Sequence, residues 1–203
     1  PEAIKLCPLI KIFSLSNYFK TRVILTGQHS EMVHNVVDLF EIKIDNDLQI
    51  LKKGQTLSSI TKLVVEKLEL EFTGRSTDMV FVQGDTTTAF ASSLAAFYEK
   101  IPVAHVEAGL RTDSVTEPFP EEANRRFISQ IAELNFAPTD NAKNNLIKSD
   151  VLGEIHVTGN TVVDALCHIS EKITGNIKYN NLENNKLILL TVHRRENWGE
   201  NLQ

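Results

Sequence analysis

The stretch "DMVFVQGDTTTAFASSLAAFYEKIPVAHVEAG", residues 78–109, carries the clearest structural signal in the chain. Its two ends, 78–85 and 101–109, are continuously apolar, which is typical of strands that are buried on both faces of a parallel sheet. The segment between them, 86–100, is rich in alanine and serine and predicts a helix that packs closely on that sheet. The stretch therefore predicts a strand–helix–strand unit with parallel strands.

The same alternation continues on both sides of this unit. Helical spacing of apolar residues and capping residues predict further helices over 2–19, 30–40, 56–72, 120–133, 140–149 and 161–174, with Pro120 at the first helical position of its helix. Apolar runs predict further strands over 22–27, 134–139 and 154–160. Alternating strands and helices indicate an α/β fold with a doubly wound parallel sheet.

A change in composition divides the chain near its end. Residues 175–185, "GNIKYNNLENN", are polar and lack periodicity, so they are interpreted as a linker after a domain that spans 1–174. Residues 186–203 begin with a strand-like run and are interpreted as the start of a second domain. Because the chain opens on Pro1 within a helix-like pattern and ends soon after this strand, we expect a fragment of a longer protein.

Composition excludes several classes of function. The chain of 203 residues is 42% hydrophobic and 23% charged, which is ordinary for a globular protein. Its formal net charge of −5 gives no reason to expect a nucleic acid or an anionic membrane as partner. No apolar run reaches the roughly 20 residues of a membrane span, and no signal peptide is visible. The two cysteines, Cys7 and Cys167, form no CxxC pattern, so we expect a cytoplasmic protein.

Polar side chains follow several of the predicted strands. Ligands bind at the carboxyl ends of the strands in open parallel sheets. The candidates at these ends are Asp85, His105, Glu107, Asn160 and His193. The sequence therefore predicts a ligand site along this edge.

Asp85 and Glu107 follow consecutive strands and are candidates for acid/base chemistry. Asp85 is equally compatible with a cap of the helix that follows it. Glu107 has no such local role, although an ion pair with Arg111 is an alternative. If the two carboxylates lie close together, one of them acquires a raised pKa that suits proton transfer.

The helix over 120–133 begins with two more carboxylates. Glu121 and Glu122 lie in its first turn, where negative charge suits the helix dipole, and Glu121 lies four residues before Arg125, as in a helical ion pair. Spacing alone gives these residues no functional role, and Asp113, Glu117 and Glu122 are interpreted as loop and cap residues.

His193 ends the last strand-like run and precedes two arginines, which indicates a contact to a phosphate or a leaving group. A metal site is not expected, because His29 and His34 lack the spacing of an HExxH pair. The sequence also lacks the GxGxxG, Walker and GxSxG patterns, so nicotinamide, P-loop and hydrolase functions have little support.

Six blocks identify a known family: "PEAIKLCPLI", "TGQHSEM", "VQGDTTTAFASSLAAFYEKIPVAHVEAGLRT", "PFPEEANRR", "VTGNTVVDAL" and "TVHRREN". In this order they resemble the non-hydrolysing UDP-N-acetylglucosamine 2-epimerases along the whole chain. The resemblance implies interconversion of UDP-N-acetylglucosamine and UDP-N-acetylmannosamine through a 2-acetamidoglucal, as UDP is eliminated and added back. It also implies a Rossmann-like domain as the N-terminal half of a GT-B-like architecture, and a homodimer without metal or redox cofactor. In some relatives the substrate UDP-N-acetylglucosamine is also an allosteric activator, which the sequence leaves open here.

The resemblance also implies roles for individual residues. It assigns Asp85, Glu107 and Glu121 as acid/base carboxylates, His193 as the active-site histidine, Lys5 as a UDP-sugar contact and Arg125 as a cleft residue. Asp85, Glu107 and His193 are expected to contact the substrate as well. The family's nucleotide-binding arginine before "PEAIK" and most of the second domain are not part of this chain, so we expect the chain by itself to be inactive or nearly so.

Three alternatives remain open at the level of sequence. A hydrolysing epimerase would use the same elimination and release UDP and free N-acetylmannosamine, although the "HVEAGLRT" and "PEEANRR" blocks argue against it. A GT-B glycosyltransferase would require an acceptor sugar. A non-catalytic fragment or pseudoenzyme would bind partner subunits through the Rossmann-like domain.

Overall fold

Helices and strands alternate along the chain, as the sequence predicts. A computed structural model describes residues 2–27, 30–52 and 54–172. The helices are α1 (Glu2–Leu15), α2 (Ser30–Leu39), α3 (Leu57–Phe72), α4 (Thr87–Tyr98), α5 (Glu121–Ile131), α6 (Asp140–Lys148) and α7 (Val162–Lys172). The strands are β1 (Ile24–Leu25), β2 (Asn46–Asp47), β3 (Val80–Gln83), β4 (Val103–Val106), β5 (Leu134–Ala137) and β6 (Glu154–Val157).

The described strands pair in parallel throughout. Four of them form a sheet in the order β3-β4-β5-β6, and β1 pairs separately with β2. In the four-stranded sheet, Gln83 lies opposite Val106 and Ala137 lies opposite Val157, so the strands end close to one edge. This arrangement confirms the predicted parallel α/β fold.

Helices cover both faces of the sheet. Val80 and Val82 of β3 contribute to the main core cluster, together with apolar residues of α3, α4 and α5. The residue between them, Phe81, points to the other face and contacts Phe13 of α1 at a ring-centroid distance of 5.2 Å. Alternate side chains of a strand point to opposite faces, so one strand shows both packed layers.

Several element boundaries differ from the sequence predictions. Strands β3 and β4 are shorter than the apolar runs because the backbone turns at Gly84 and Glu107, which have φ angles of +75° and +65°. Pro120 precedes α5 and is its N-cap residue, so the prediction that it occupies the first helical position is wrong. Strand β2 was not predicted, because its two residues, Asn46 and Asp47, are polar.

The described fold belongs to a compact unit that ends at Glu171. The predicted linker 175–185, the predicted second domain from residue 186 and His193 all lie outside the described residues. No described helix is both long enough and apolar enough to cross a membrane.

Candidate functional site

The carboxyl ends of β3 and β4 bring Asp85 and Glu107 to the same edge of the sheet. The pairing of the two strands extends one step beyond the register, since the amide of Gly84 donates to the carbonyl of Val106 at 3.1 Å. Asp85 and Glu107 follow directly on these two strands. Burial raises the pKa of the Asp85 carboxyl, and the negative charge of Glu107 adds to the increase.

The Glu107 carboxylate is fixed by donors from three parts of the fold. Lys5 Nζ of α1 donates to Oε2 at 2.5 Å, Asn160 Nδ2 donates to Oε1 at 2.7 Å, and the side chain of Gln83 donates to Oε2. The backbone of Glu107 is in the left-handed region, which is uncommon for a residue other than glycine and occurs often at functional sites. The fold thus holds this side chain in one place at the expense of backbone strain.

The alternative of an ion pair between Glu107 and Arg111 is wrong. Arg111 donates instead to the carbonyl of Leu110 at 2.9 Å and to Ser129 Oγ at 2.8 Å. Burial lowers the pKa of its guanidinium from the ordinary value. Arg111 therefore connects the loop after β4 to helix α5 rather than neutralising Glu107.

Asp85 pairs with Arg125 of α5. Arg125 Nη2 donates to Asp85 Oδ2, and Asn124 Nδ2 donates to the backbone carbonyl of Asp85 at 2.9 Å. Burial raises the pKa of the Asp85 carboxyl, the charge and hydrogen bond of Arg125 oppose this effect, and Glu107 and Glu2 add to the increase. The balance leaves the pKa above its ordinary value, as is common for acid/base carboxylates.

The alternative role of Asp85 as a helix cap is also wrong. Thr86 is the N-cap residue of α4, and its side chain accepts a hydrogen bond from the Ala89 amide at 3.2 Å. The Asp85 side chain is thereby left for the contact with Arg125.

Glu121 lies in the first turn of α5 and is half-buried. Its predicted ion pair with Arg125 is wrong, because Arg125 pairs with Asp85 and, at 3.3 Å, with Glu122. Among the described residues, no hydrogen bond or ion pair of the Glu121 side chain occurs.

Glu122 was interpreted as a cap residue, and this interpretation is wrong. Its side chain is fully buried and accepts hydrogen bonds from the Thr112 amide and from Arg126. Glu122 lies seven residues before the buried Ser129, and this helical spacing places both on the inner face of α5. Nothing in the sequence distinguishes Glu122 from Glu121, because Glu121 lies at the same spacing before the buried Ile128.

His105 lies below the edge, within β4, and is fully buried. Burial lowers its pKa to about 4, so the ring is neutral at physiological pH and Nε2 donates to the Gly84 carbonyl at 2.8 Å. This bond supports the turn that precedes Asp85. His105 is thus a structural neighbour of the site.

The structure places several of the predicted residues at this edge. The structure brings Lys5, Asp85, Glu107 and Arg125 together and places Glu121 in the first turn of the same helix as Arg125, whereas His193 lies outside the described residues. Sequence reasoning missed Gln83, whose carboxamide donates to the Glu107 carboxylate, and Asn124, whose carboxamide donates to the backbone carbonyl of Asp85. In the described part of the chain, no three His, Cys, Asp or Glu side chains come close enough to share a metal ion.

Comparison with known proteins identifies the family. The family model of UDP-N-acetylglucosamine 2-epimerase matches residues 13–203. The chain belongs to this family. It is 46% identical to the UDP-N-acetylglucosamine 2-epimerase of Neisseria meningitidis serogroup A over 212 residues, and 47% identical to that of Bacillus subtilis over 204 residues. These alignments cover 100% of the chain but only 57% and 54% of the two relatives.

Solved structures of the family have the same fold. The chain resembles the UDP-GlcNAc 2-epimerase of Neisseria meningitidis bound to UDP-GlcNAc, with a TM-score of 0.81 and 49% identity over 85% of this chain and 47% of that one. It also resembles the Methanocaldococcus jannaschii enzyme in complex with UDP-GlcNAc and UDP, with a TM-score of 0.78 and 36% identity, covering 85% and 48% of the two chains. The chain therefore spans about half the length of these family members.

Proposed function

We propose that this chain forms one side of the substrate cleft of an enzyme that interconverts UDP-N-acetylglucosamine and UDP-N-acetylmannosamine. The observation that carries the proposal is the pair of carboxylates, Asp85 and Glu107, at adjacent strand ends in a chain of this family. Relatives crystallised with UDP-GlcNAc support the choice of substrate.

The proposed reaction proceeds by elimination and re-addition. A base removes the proton from C2 of the sugar, the bond between C1 and the phosphate oxygen of UDP breaks, and a double bond forms between C1 and C2. The phosphate oxygen of UDP then attacks C1 again, while a proton is delivered to the opposite face of C2. The overall reaction is redox-neutral, so it requires no redox cofactor.

Carboxylates at this edge suit the two proton transfers. A raised pKa brings Asp85 closer to the operating pH, where a group exchanges protons most effectively. Glu107 is held in position by its three donors, which favours the short, aligned contact that proton transfer needs. Glu121, which has no partner in the described part of the chain, is the third acid/base candidate.

Cations near the carboxylates suit the charge of UDP. Lys5 and Arg125 lie at the same edge and can stabilise negative charge that develops on the phosphate as the C1 bond breaks. We propose that a linker spans 175–185, that a second domain begins at residue 186, and that His193 of this domain also takes part in the reaction. By resemblance, the complete enzyme is a cytoplasmic homodimer.

The proposal is tested by joining the chain to the C-terminal half of a relative. Residues 1–203 are joined to the remaining C-terminal part of the Neisseria meningitidis relative, and the product is incubated with UDP-N-acetylglucosamine. Proton and phosphorus NMR should show UDP-N-acetylmannosamine with UDP still attached, whereas residues 1–203 by themselves should show almost no turnover.

Other products distinguish the alternatives. Free N-acetylmannosamine together with UDP would favour the hydrolysing reaction. A joined protein that folds and binds UDP but produces neither compound would contradict the proposal, provided that the unmodified Neisseria protein is active in the same assay.

A further inference from the structure

Glu122 is a fully buried carboxylate for which the proposed reaction has no direct use. Its Oε2 accepts a hydrogen bond from the Thr112 amide at 3.1 Å and lies 3.3 Å from Arg125 Nη1. Its Oε1 accepts a hydrogen bond from Arg126 Nε at 2.7 Å. A buried carboxylate is strongly destabilising unless its oxygens are paired, and here both are.

Arg125 connects this buried carboxylate to Asp85. One terminal nitrogen of its guanidinium, Nη1, faces Glu122, and the other, Nη2, donates to Asp85. The guanidinium is planar and rigid, so a contact that fixes one nitrogen also fixes the direction of the other. The Arg125 side chain is largely buried, which leaves it few other orientations.

We propose that Glu122 is a positioning residue that holds the Arg125 guanidinium in the orientation in which it pairs with Asp85. Arg126 and the Thr112 amide hold Glu122 in turn, so contacts link the loop after β4, the N-terminal half of α5 and Asp85. The catalytic meaning of these contacts rests on the proposed function, whereas the effect on Asp85 does not.

Loss of this orientation has a defined consequence for Asp85. Burial, Glu107 and Glu2 all raise the pKa of the Asp85 carboxyl, and Arg125 opposes them. If Arg125 turns away, the opposing contribution weakens and the pKa of Asp85 increases further. This increase is the readout of positioning, because a purely structural role of Glu122 would change stability and leave the titration of Asp85 unchanged.

The titration can be measured without substrate. The 203-residue chain is labelled with 13C at the aspartate carboxyl carbons, and the Asp85 signal is assigned by its absence in Asp85→Asn. Glu122→Asp keeps the negative charge but shortens the side chain by one methylene, so the pKa of Asp85 should increase. The increase should reach roughly half of that in Arg125→Met, which removes the opposing charge altogether.

Three comparisons test whether the effect passes through Arg125. Glu122→Gln keeps the length of the side chain but removes the charge that pairs with Arg125 Nη1, so the pKa of Asp85 should increase here as well. Arg126→Met removes a support of Glu122 but leaves the contact between Glu122 and Arg125 in place, so it should raise the pKa of Asp85 by less than Glu122→Asp does. In the background of Arg125→Met, Glu122→Asp should add no further increase, since its effect passes through Arg125.

Several results would overturn the proposal. These are an unchanged or lowered pKa of Asp85 in Glu122→Asp, or an increase that persists in the absence of Arg125. If Glu122→Asp does not fold, Arg125→Lys replaces it, because an ammonium keeps the charge but cannot bridge both carboxylates in a fixed plane. Arg125→Lys should then raise the pKa of Asp85, and a titration like that of the unmodified chain would refute positioning. A failure of the proposed epimerisation would leave these titrations unaffected, so the two failures are distinguishable.

Discussion

Two carboxylates in this chain, Glu107 and Glu71, have nearly the same surroundings. Glu107 accepts hydrogen bonds from a lysine and two carboxamides, and Glu71 accepts them from Arg22, Arg75 and the carboxamide of Asn46. Their side chains are 12% and 13% exposed, respectively. Neither burial nor the type of partner distinguishes a candidate catalytic residue from a structural one here.

Position in the fold does distinguish them. Glu71 lies in the last turn of α3, and its partners attach that helix to the strands β1 and β2. Glu107 follows a strand in a strained conformation at the carboxyl edge of the sheet, with Asp85 as a second carboxylate nearby. The comparison shows that a carboxylate with several hydrogen-bond donors becomes a candidate for a functional site because it lies at the carboxyl edge of the sheet.

The largest difference is expected in catalysis. In the protein joined to the Neisseria half, Glu107→Gln should reduce the rate of epimerisation by a factor of about 100 or more, because an amide cannot transfer the C2 proton. Glu71→Gln should leave the rate unchanged under conditions in which it is folded. Steady-state rates with UDP-N-acetylglucosamine measure both variants. Equal losses of rate in the two variants would contradict the distinction between Glu107 and Glu71.

The next largest effect is expected in the stability of Glu71→Gln. The substitution leaves the charge of Arg22 without its anionic partner and should lower the free energy of unfolding by about 2 kcal/mol at neutral pH. Burial raises the pKa of Glu71, but the hydrogen bonds of Arg22 and Asn46 outweigh it and leave the pKa below its ordinary value.

The effect of Glu71→Gln should therefore depend on pH. The stabilisation by ionised Glu71 is present above the pKa of an unfolded glutamate and is lost as the pH falls through the lower pKa of the folded chain. Urea unfolding at several pH values measures the difference. A destabilisation that stays constant down to the acid limit would show that the charge of Glu71 is not its cause.

A smaller effect of opposite sign is expected for Asp85→Asn. Because the pKa of Asp85 is raised in the folded chain, its contribution to stability is complete below the pKa of an unfolded aspartate and disappears as the pH rises through the folded pKa. At neutral pH the neutral Asn should therefore increase the free energy of unfolding, by less than about 1 kcal/mol. The same unfolding experiments give this value, and a clear loss of stability at neutral pH would contradict the balance described for Asp85.

The smallest effect is expected for Arg75→Met. Arg75 contacts Glu71 at 3.3 Å but its side chain is 56% exposed, so solvent screens the pair. Exposed helical pairs contribute about 0.5 kcal/mol or less, and the free energy of unfolding should change by no more than that. A larger loss would mean that the stabilisation by Glu71 depends on both arginines rather than on Arg22 alone.

The sequence predicts most of the sheet because most of its strands coincide with apolar runs. Residues 80–83 and 103–106 form parallel neighbours as expected. Strand β2 was missed because it consists of Asn46 and Asp47, and only pairing with β1 makes it a strand. Strand ends were placed too late because positive φ angles at Gly84 and Glu107 have no unique signature in the residue types.

The site was predictable to the extent that it lies at strand ends. Asp85, Glu107 and Asn160 follow from that rule. The cationic partners Lys5 and Arg125 do not, because they lie on helices in distant parts of the chain. Glu121 and Glu122 look alike in the sequence. Successive helical residues point about 100° apart, so burial of Glu122 follows only once the packing of α5 is known.

The central claim is that residues at the edge formed by Asp85 and Glu107 transfer the C2 proton. Hydrogen exchange at C2 of the sugar tests this claim most directly. The joined protein, its Glu107→Gln variant and its Glu71→Gln variant are incubated with UDP-N-acetylglucosamine in deuterated water, and the C2 signals are followed by NMR. The claim predicts deuterium at C2 of both epimers with the unmodified protein and with Glu71→Gln, and almost none with Glu107→Gln. Undiminished exchange in a folded Glu107→Gln variant would contradict it.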